Sequence, residues 1–557
     1  TGSASIDFTN VTGYTALTVS ASDDTSTVTL KNLDASSITV SDDNAEDAAN
    51  GDIEALVVDT EDDQAMTITI GANQEAATAT AADFTSLTLT DASSLTLGTT
   101  GGGFGNLLDH DIESLVLDDN ETTSLVVGVS DYTSIETGAI TTNESLESLT
   151  VEADAAEADI VIDGIADGTN LSSLSLSATG LNASIDINGA IGAEGEATDS
   201  ILNTFTVTAS NGGDVTFSGV ADAEIGDINT SEDADSVTYT ATGAGSTITA
   251  GQIFADGLDM NEVTITASAG ATIDMESDAE DFEINYGFDK LSFSATGTGS
   301  TMNISPNQDA GSLAAATEAT LTIEADDGAT ITMGAAGAGG TASALGGVDL
   351  DTVHIGVGAN ATLDSQEATI TASGDIGTLD IDFDANSNHT EAFDISAGRI
   401  LTSLSFITGD EAEVDTNAFL IELTDDVEAE VGVYNLEVSI ADTDGSEVII
   451  DAEAAGDLIN IGTATKMSVL TVGETSGSYY QGSITIAGDD GDTVTLGSTA
   501  ILDASALDGT GQTTGSAGTF GSWSITTGAG ADTITGSPGA DTITTVAGAD
   551  TIVGGAG

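Results

Sequence analysis

Three aspartates near the end of the chain, Asp532, Asp541 and Asp550, stand nine residues apart, each within the same run of Gly-Ala-Asp-Thr-Ile. That combination suits one chemistry. Carboxylates are hard oxygen donors, and Gly530, Gly539 and Gly548 permit tight turns whose backbone carbonyls point inward. Ile534, Ile543 and Ile552 then open short strands that fill a core. The pattern is that of the nonapeptide G-G-x-G-x-D-x-U-x, with U aliphatic, which is a calcium-binding register. A flexible linker of Gly, Ala, Ser and Thr has no reason to repeat its aspartate in phase three times.

The elements that must position these loops carry an extreme charge. The 557 residues include 94 Asp plus Glu against 4 Lys plus Arg, a formal net charge of -90. Almost every carboxylate therefore lacks a basic partner, so the folded chain either tolerates self-repulsion or gathers cations. Lys31, Lys290, Arg399 and Lys466 are far apart in sequence and read as local ion-pair partners in an acidic field. They cannot form the clustered basic surface that phosphate backbones require, which excludes nucleic acid as a partner. An anionic membrane surface would also repel the chain. Hydrophobic residues at 39% are enough for a core, unlike charged chains that stay unfolded. Aromatics at 4% and an abundance of Thr, Ser, Val and Ile favour strands with small side chains. Cysteine is absent, which removes disulfides and thiolate metal sites. No apolar run is long enough for a transmembrane helix, and the opening residues Thr1-Gly2-Ser3-Ala4 carry no signal-peptide pattern.

A second repeat fills the rest of the chain. The form U-x-x-U-x-U recurs as Phe84-Leu87-Leu89, Ile112-Leu115-Leu117, Leu146-Leu149-Val151 and Leu171-Leu174-Leu176, and again as Phe288-Leu291-Phe293, Leu350-Val353-Ile355, Ile376-Leu379-Ile381 and Met467-Leu470-Val472, mostly 25 to 34 residues apart. Periods of that size indicate stacked coils. After each motif comes a Gly-rich turn and a second alternating run, as in Ala178-Thr179-Gly180 before Ile185-Asp186-Ile187 or Asp327-Gly328 before Thr330-Ile331-Thr332. Each coil thus reads as strand, turn, strand, with aliphatics inward and Thr, Ser and Asp outward. The expected class is all-β, an elongated β-solenoid of coils of about 25–34 residues ending in a calcium-binding roll. Residues 1–245 and 246–480 read as two solenoid parts and 481–557 as the calcium-binding region. Leucine-rich repeats share the motif but add Asn or Cys three positions on; Asn120 fits, whereas Asp154, Thr179 and Ser268 do not. Tandem immunoglobulin-like domains are disfavoured by only 2 prolines and no self-similarity at that domain's length.

The run Ile501-Leu502-Asp503-Ala504-Ser505-Ala506-Leu507-Asp508-Gly509-Thr510-Gly511, followed by Gly521-Ser522-Trp523-Ser524-Ile525 and the nonapeptides, resembles Gram-negative surface-layer (S-layer) proteins that carry RTX repeats. The resemblance implies a β-solenoid exported by a type I system, an extracellular place at the cell surface, and calcium for folding and for lattice contacts. It also implies that two nonapeptides make one turn of a β-roll, so that calcium sits between loops eighteen residues apart. On that reading Asp532, with carbonyls around Gly528 and Gly530, shares an ion with the loop of Gly548 and Asp550. The loop of Gly539 and Asp541 pairs with one that opens at Gly554-Gly555 and runs past Gly557, and the chain reads as truncated. Gly488-Asp489-Asp490-Gly491-Asp492 is a defective relative of the motif and a further cation candidate. The clusters at Asp59-Glu61-Asp62-Asp63, Asp118-Asp119-Glu121 and Asp442-Asp444-Gly445 offer calcium ligands at coil turns, but among 94 acids a solvated loop is the default reading.

Signatures of catalysis are missing. No H-E-x-x-H surrounds His110, His354 or His389, which read as surface polar residues, and no lysine precedes Ser or Thr as a phosphate-cradling loop needs. The expectation is therefore a non-enzymatic structural protein forming a calcium-dependent surface layer. Its partner is further copies of itself, with cell-surface polysaccharide a second candidate. An RTX adhesin or matrix filament subunit is the alternative, and a secreted carbohydrate-active enzyme on a β-helix comes third.

Overall fold

The computed structural model describes residues 3–12, 14–21, 27–42, 55–71, 83–100, 108–117, 122–129, 133–142, 146–166, 171–188, 203–217, 236–250, 260–275 and 282–283. It further describes 288–304, 306–307, 317–333, 344–347, 349–365, 368–372, 376–384, 386–390, 393–397, 400–408, 413–414, 419–423, 434–440, 447–452, 457–463, 469–472, 482–487, 493–496, 500–508, 512–515, 524–529, 533–535, 542–544 and 549–553. Among these residues there is no helix, hence none long and apolar enough to cross a membrane, and the strands pair in parallel. The chain is a parallel β-solenoid. It divides into two compact units, Thr1–Glu283 and Ile284–Gly557.

In the first unit, from Leu146 onward, the U-x-U half of the motif becomes a strand of one long ladder. Ser148–Ala153, Ser173–Ala178, Thr204–Ser210, Ser236–Thr242 and Met260–Ser268 stack so that Leu149, Leu174, Phe205, Val237 and Val263 form one column. A second ladder runs through Asp159–Ile162, Ser184–Ile187, Asp214–Phe217, Thr247–Thr249 and Thr272–Asp274, with Ile160, Ile185, Val215, Ile248 and Ile273 in register. Both columns are buried throughout, because strict alternation turns every second residue to the narrow interior. Aromatics fill it where it widens: Tyr239 meets Phe205 edge-on at 5.4 Å, and Phe205 reaches Phe217 of the second ladder at 6.2 Å.

The coil has a third side that strand-turn-strand reading does not contain. Leu115–Leu117, Ile140–Thr142 and Ile165–Ala166 form a third ladder through the column Leu115, Ile140 and Ile165. Leu115–Leu117 belongs to a repeat motif, but Ile140–Thr142 and Ile165–Ala166 are too short to carry a period that a sequence reading detects. Nearer the start, Ala55–Gly71 and Ser86–Thr100 run through the third and first ladders in single long strands, with a register break between Asp59 and Gln64. Asp59 and its acidic neighbours therefore lie within a strand rather than in a loop.

The corner between first and second ladders hardly varies. A buried small residue stands at or one before the end of the first strand, as Ala178, Ala209 and Ala267 do, and another precedes the second, as Ala183, Gly213 and Ala271 do. The amide of that second residue donates to the carbonyl three residues back, Gly213 to Ser210 at 2.9 Å and Ala271 to Ser268 at 3.2 Å. In these two turns both central residues are left-handed, Asn211 and Gly212 at φ 57 and 81, Ala269 and Gly270 at 55 and 85, as a type I′ turn requires. A Cβ at Gly213 would stand 2.2 Å from the Ala178 carbonyl oxygen, so glycine is needed there.

Two of the histidines correct the surface reading. His110 and His389 are buried, and their register partners, Ile135 and Leu363, belong to the aliphatic columns of the second ladders. An inward strand position accepts a flat, half-apolar ring: Phe383 packs edge-on against His389 at 5.7 Å. His354 alone keeps partial exposure.

The second unit repeats the three-ladder plan and then changes it. Leu291, Leu321, Val353, Leu379 and Leu404 form the first column, Met302, Ile331, Leu363 and His389 the second, and Leu345, Ile370, Ile395, Ile421 and Ile450 the third. Among the described residues the second ladder's last strand is Glu413–Val414. From Tyr434–Ile440 onward the coil has two strands, and the first and third ladders continue without interruption to Thr542–Thr544 and Thr551–Val553.

Candidate calcium-binding site

The nonapeptides fold as the final coils of those two ladders. Ser524–Ala529 and Thr542–Thr544 pair in one ladder, Thr533–Thr535 and Thr551–Val553 in the other. Successive nonapeptides thus fall on opposite sides, and only every second one stacks. The partners Thr533 and Thr551 are eighteen residues apart, which is two repeats.

That register sorts the aspartates. Asp532 and Asp550 each stand immediately before a strand, and those two strands are neighbours in one ladder. Asp541 precedes Thr542 on the other side, where the partner strand opens at Ser524 and the residue before it is Trp523. One coil back from Asp541 there is no second carboxylate. Asp550 is half-exposed, and Gly528 lies in the strand Ser524–Ala529. Asp532, Asp541, Gly530, Gly539 and Gly548, with Asp489, Asp490 and Asp492 of the defective motif, lie outside the described residues. So do Asp118, Asp119, Glu121, Asp442 and Asp444.

The donor set fits a hard divalent cation. Carboxylates and glycine-loop carbonyls are the oxygen ligands that calcium takes, and no nitrogen or sulfur donor stands in the nonapeptides to attract a softer metal. Calcium bound there would be held by Asp532 and Asp550 with carbonyls of the Gly528 and Gly530 loop, supplying the positive charge that lets two carboxylate-bearing coils stack.

The body handles its acids differently. Among the described residues no group of three or more His, Asp or Glu side chains is arranged to hold a metal ion. Outward carboxylates instead crowd one another: partial burial, with Asp159 and Asp214 alongside, raises the Asp186 carboxyl above its ordinary range. Burial and the charges of Asp384 and Asp380 do the same to Asp382. Hydroxyls and one imidazole take part of the load. Ser184 donates to Asp159 at 2.6 Å, Thr247 donates to Asp214, and His354 Nδ1 lies 3.1 Å from Asp380.

No curated protein and no solved structure matches the chain. Residues 526–557 match the family model of the RTX calcium-binding nonapeptide repeat in four copies, so the roll is built of RTX repeats and calcium is the ion it binds.

Proposed function

We propose that this chain is the structural subunit of a calcium-dependent surface layer on a Gram-negative bacterium, extracellular and exported by a type I route. The observation that carries the reading is the continuity of two ladders of the second unit into the RTX roll: calcium-ordered coils are the end of the same stack, not an appendage. RTX repeats typify secreted extracellular proteins, and an acidic solenoid of repeated coils suits a coat. Further copies of the chain are the partner in this reading, with cell-surface polysaccharide as the anchor.

The same ladder continuity suits an RTX adhesin or a matrix filament subunit. Electron microscopy of the purified chain in millimolar calcium separates the readings. Two-dimensional sheets that dissolve in EGTA are expected. Isolated rods or fibres would transfer the assignment to the adhesin or filament, and discrete particles that cleave glycans would transfer it to an enzyme.

A further inference from the structure

The first ladder of the first unit carries a face unlike the rest of the molecule. Every outward position of Ser173–Ala178, Thr204–Ser210 and Ser236–Thr242 is Ser or Thr, because the strands read SLSLSA, TFTVTAS and SVTYTAT with their apolar residues buried. The hydroxyls fall in register: Ser175, Thr206, Thr238 and Thr264 make one column, and Ser177, Thr208, Thr240 and Thr266 the next. Side chains bond along the stack, Thr204 to Ser173 at 3.0 Å and Thr242 with Ser268 at 3.1 Å. Carboxylates appear only at the rim, at Glu152 and Glu262. On the second ladder of the same coils, by contrast, Asp159, Asp186, Asp214 and Asp274 all point outward.

We infer that this hydroxyl face is where a second copy of the chain docks, face to face. The inference rests on the self-assembly reading above. Two chains of net charge -90 repel wherever carboxylates meet, and this face keeps them to its rim, at Glu152 and Glu262. A hydroxyl both donates and accepts, so a hydroxyl surface is complementary to itself across a twofold axis, as an isologous contact requires. The face has no ring on which a sugar could stack and no cation to attract an anionic polymer. Four strands about 4.8 Å apart and roughly 20 Å long present on the order of 400 Å², near half of what a standard stable pair buries on each partner. Such a contact is too weak for a free dimer. It suits a sheet in which each copy is held at several places at once.

The test uses the absence of cysteine from the chain. Single variants Thr206→Cys and, on the acid-bearing ladder of the same coil, Thr216→Cys are assembled in millimolar calcium and oxidised by dissolved oxygen with a copper catalyst. Thr206→Cys should give covalent dimers about tenfold more readily than Thr216→Cys, since only the former meets its copy. In parallel, Thr206→Asp with Thr240→Asp, both outward, should raise the concentration needed for assembly about tenfold by setting like charges opposite one another. Equal crosslinking of the two cysteine variants, with sheets still forming, would overturn the docking face and leave the coat reading standing. No sheets from the unsubstituted chain would sink both. Binding of neutral polysaccharide that the double aspartate variant loses, with assembly unaffected, would give the face to a glycan instead.

Discussion

The three-sided coils and the two-sided RTX coils solve the same packing problem with different materials. In the body a coil of 25 residues, such as that from Ser148 to Ser173, buries Leu149, Val151, Ile160 and Ile162 completely. In the roll a coil is eighteen residues long and its strands are as short as the triplets Thr542–Thr544 and Thr551–Val553. A triplet strand that carries a single isoleucine offers too little apolar area to offset the entropy of ordering the turns. The body therefore stands on its aliphatic columns and endures its acids, whereas the roll has little column and depends on its acids to bind a cation. Carboxylate is a liability in one region and the cohesive element in the other.

Removing calcium should expose that division most clearly. In EGTA the segment from Ser524 to Val553 should lose hydrogen-exchange protection while Ser148–Thr249 keeps it, since ligand bound only by the folded roll contributes about 2.7 kcal/mol at a hundred times its dissociation constant. Asp532→Ala and Asp550→Ala should each weaken calcium binding, and the double variant should be little worse than either, because the two act on one ion. Unchanged protection of the roll in EGTA would erase the distinction between the regions.

A buried charge tests the other half of the comparison. Leu174→Asp places a carboxylate in the aliphatic column and should cost several kcal/mol, about 3 or more, while Ser175→Asp on the outer face should change monomer stability by less than about 0.5. Denaturant unfolding would measure both. Similar midpoints for the two variants would mean that the inward face is misassigned.

The smallest effect has the opposite sign from that of the roll. Asp186 has a raised carboxyl pKa, so the folded state holds its proton more tightly than the unfolded chain does. Its charge therefore destabilises the body at neutral pH, and the penalty disappears as pH falls through the raised value. Asp186→Asn should stabilise the body by about 0.5 kcal/mol or less at pH 7, given partial exposure and screening, with no gain at a pH where the aspartate is already protonated. Removing an acid should thus help the body where Asp532→Ala harms the roll, and a loss of stability at pH 7 would contradict the account of Asp186.

Legibility followed the same boundary. Leu149, Leu174 and Leu291 announce their burial through spacing; the nine-residue phase of Asp532, Asp541 and Asp550 announces the repeat, and the register of eighteen that Thr533 and Thr551 keep comes from the resemblance. The third ladder was legible only where it opens, in Leu87-Leu89 and Leu115-Leu117, and there without its separate place; Ile165–Ala166 is too short to show alternation and takes its place only from Ile140 beside it. His110 and His389 misled for a related reason. A histidine's type points to the surface, and only the column it joins, with Ile135 in one case and Leu363 in the other, points inside. The hydroxyl face was hidden by abundance, since Ser and Thr are common everywhere and only the stacking of Ser175, Thr206 and Thr238 shows a surface from which charge has been withheld.

The small-residue corner has a consequence for how such a chain can change length. From Ala178 to Ala183, from Ala209 to Gly213 and from Ala267 to Ala271 the path is nearly constant, while partners in the first ladder are 25 residues apart at Ser148 and Ser173 and 31 apart at Ser173 and Thr204. The variation is taken up elsewhere in the coil, so the corner works as a fixed index mark against which each turn is aligned whatever else it carries. A lineage is then free to lengthen the segment between Ile187 and Thr204, or an engineer to insert an epitope there, without losing count, while the corner itself varies by no more than the one residue that separates Ala178–Ser184 from Ala209–Asp214.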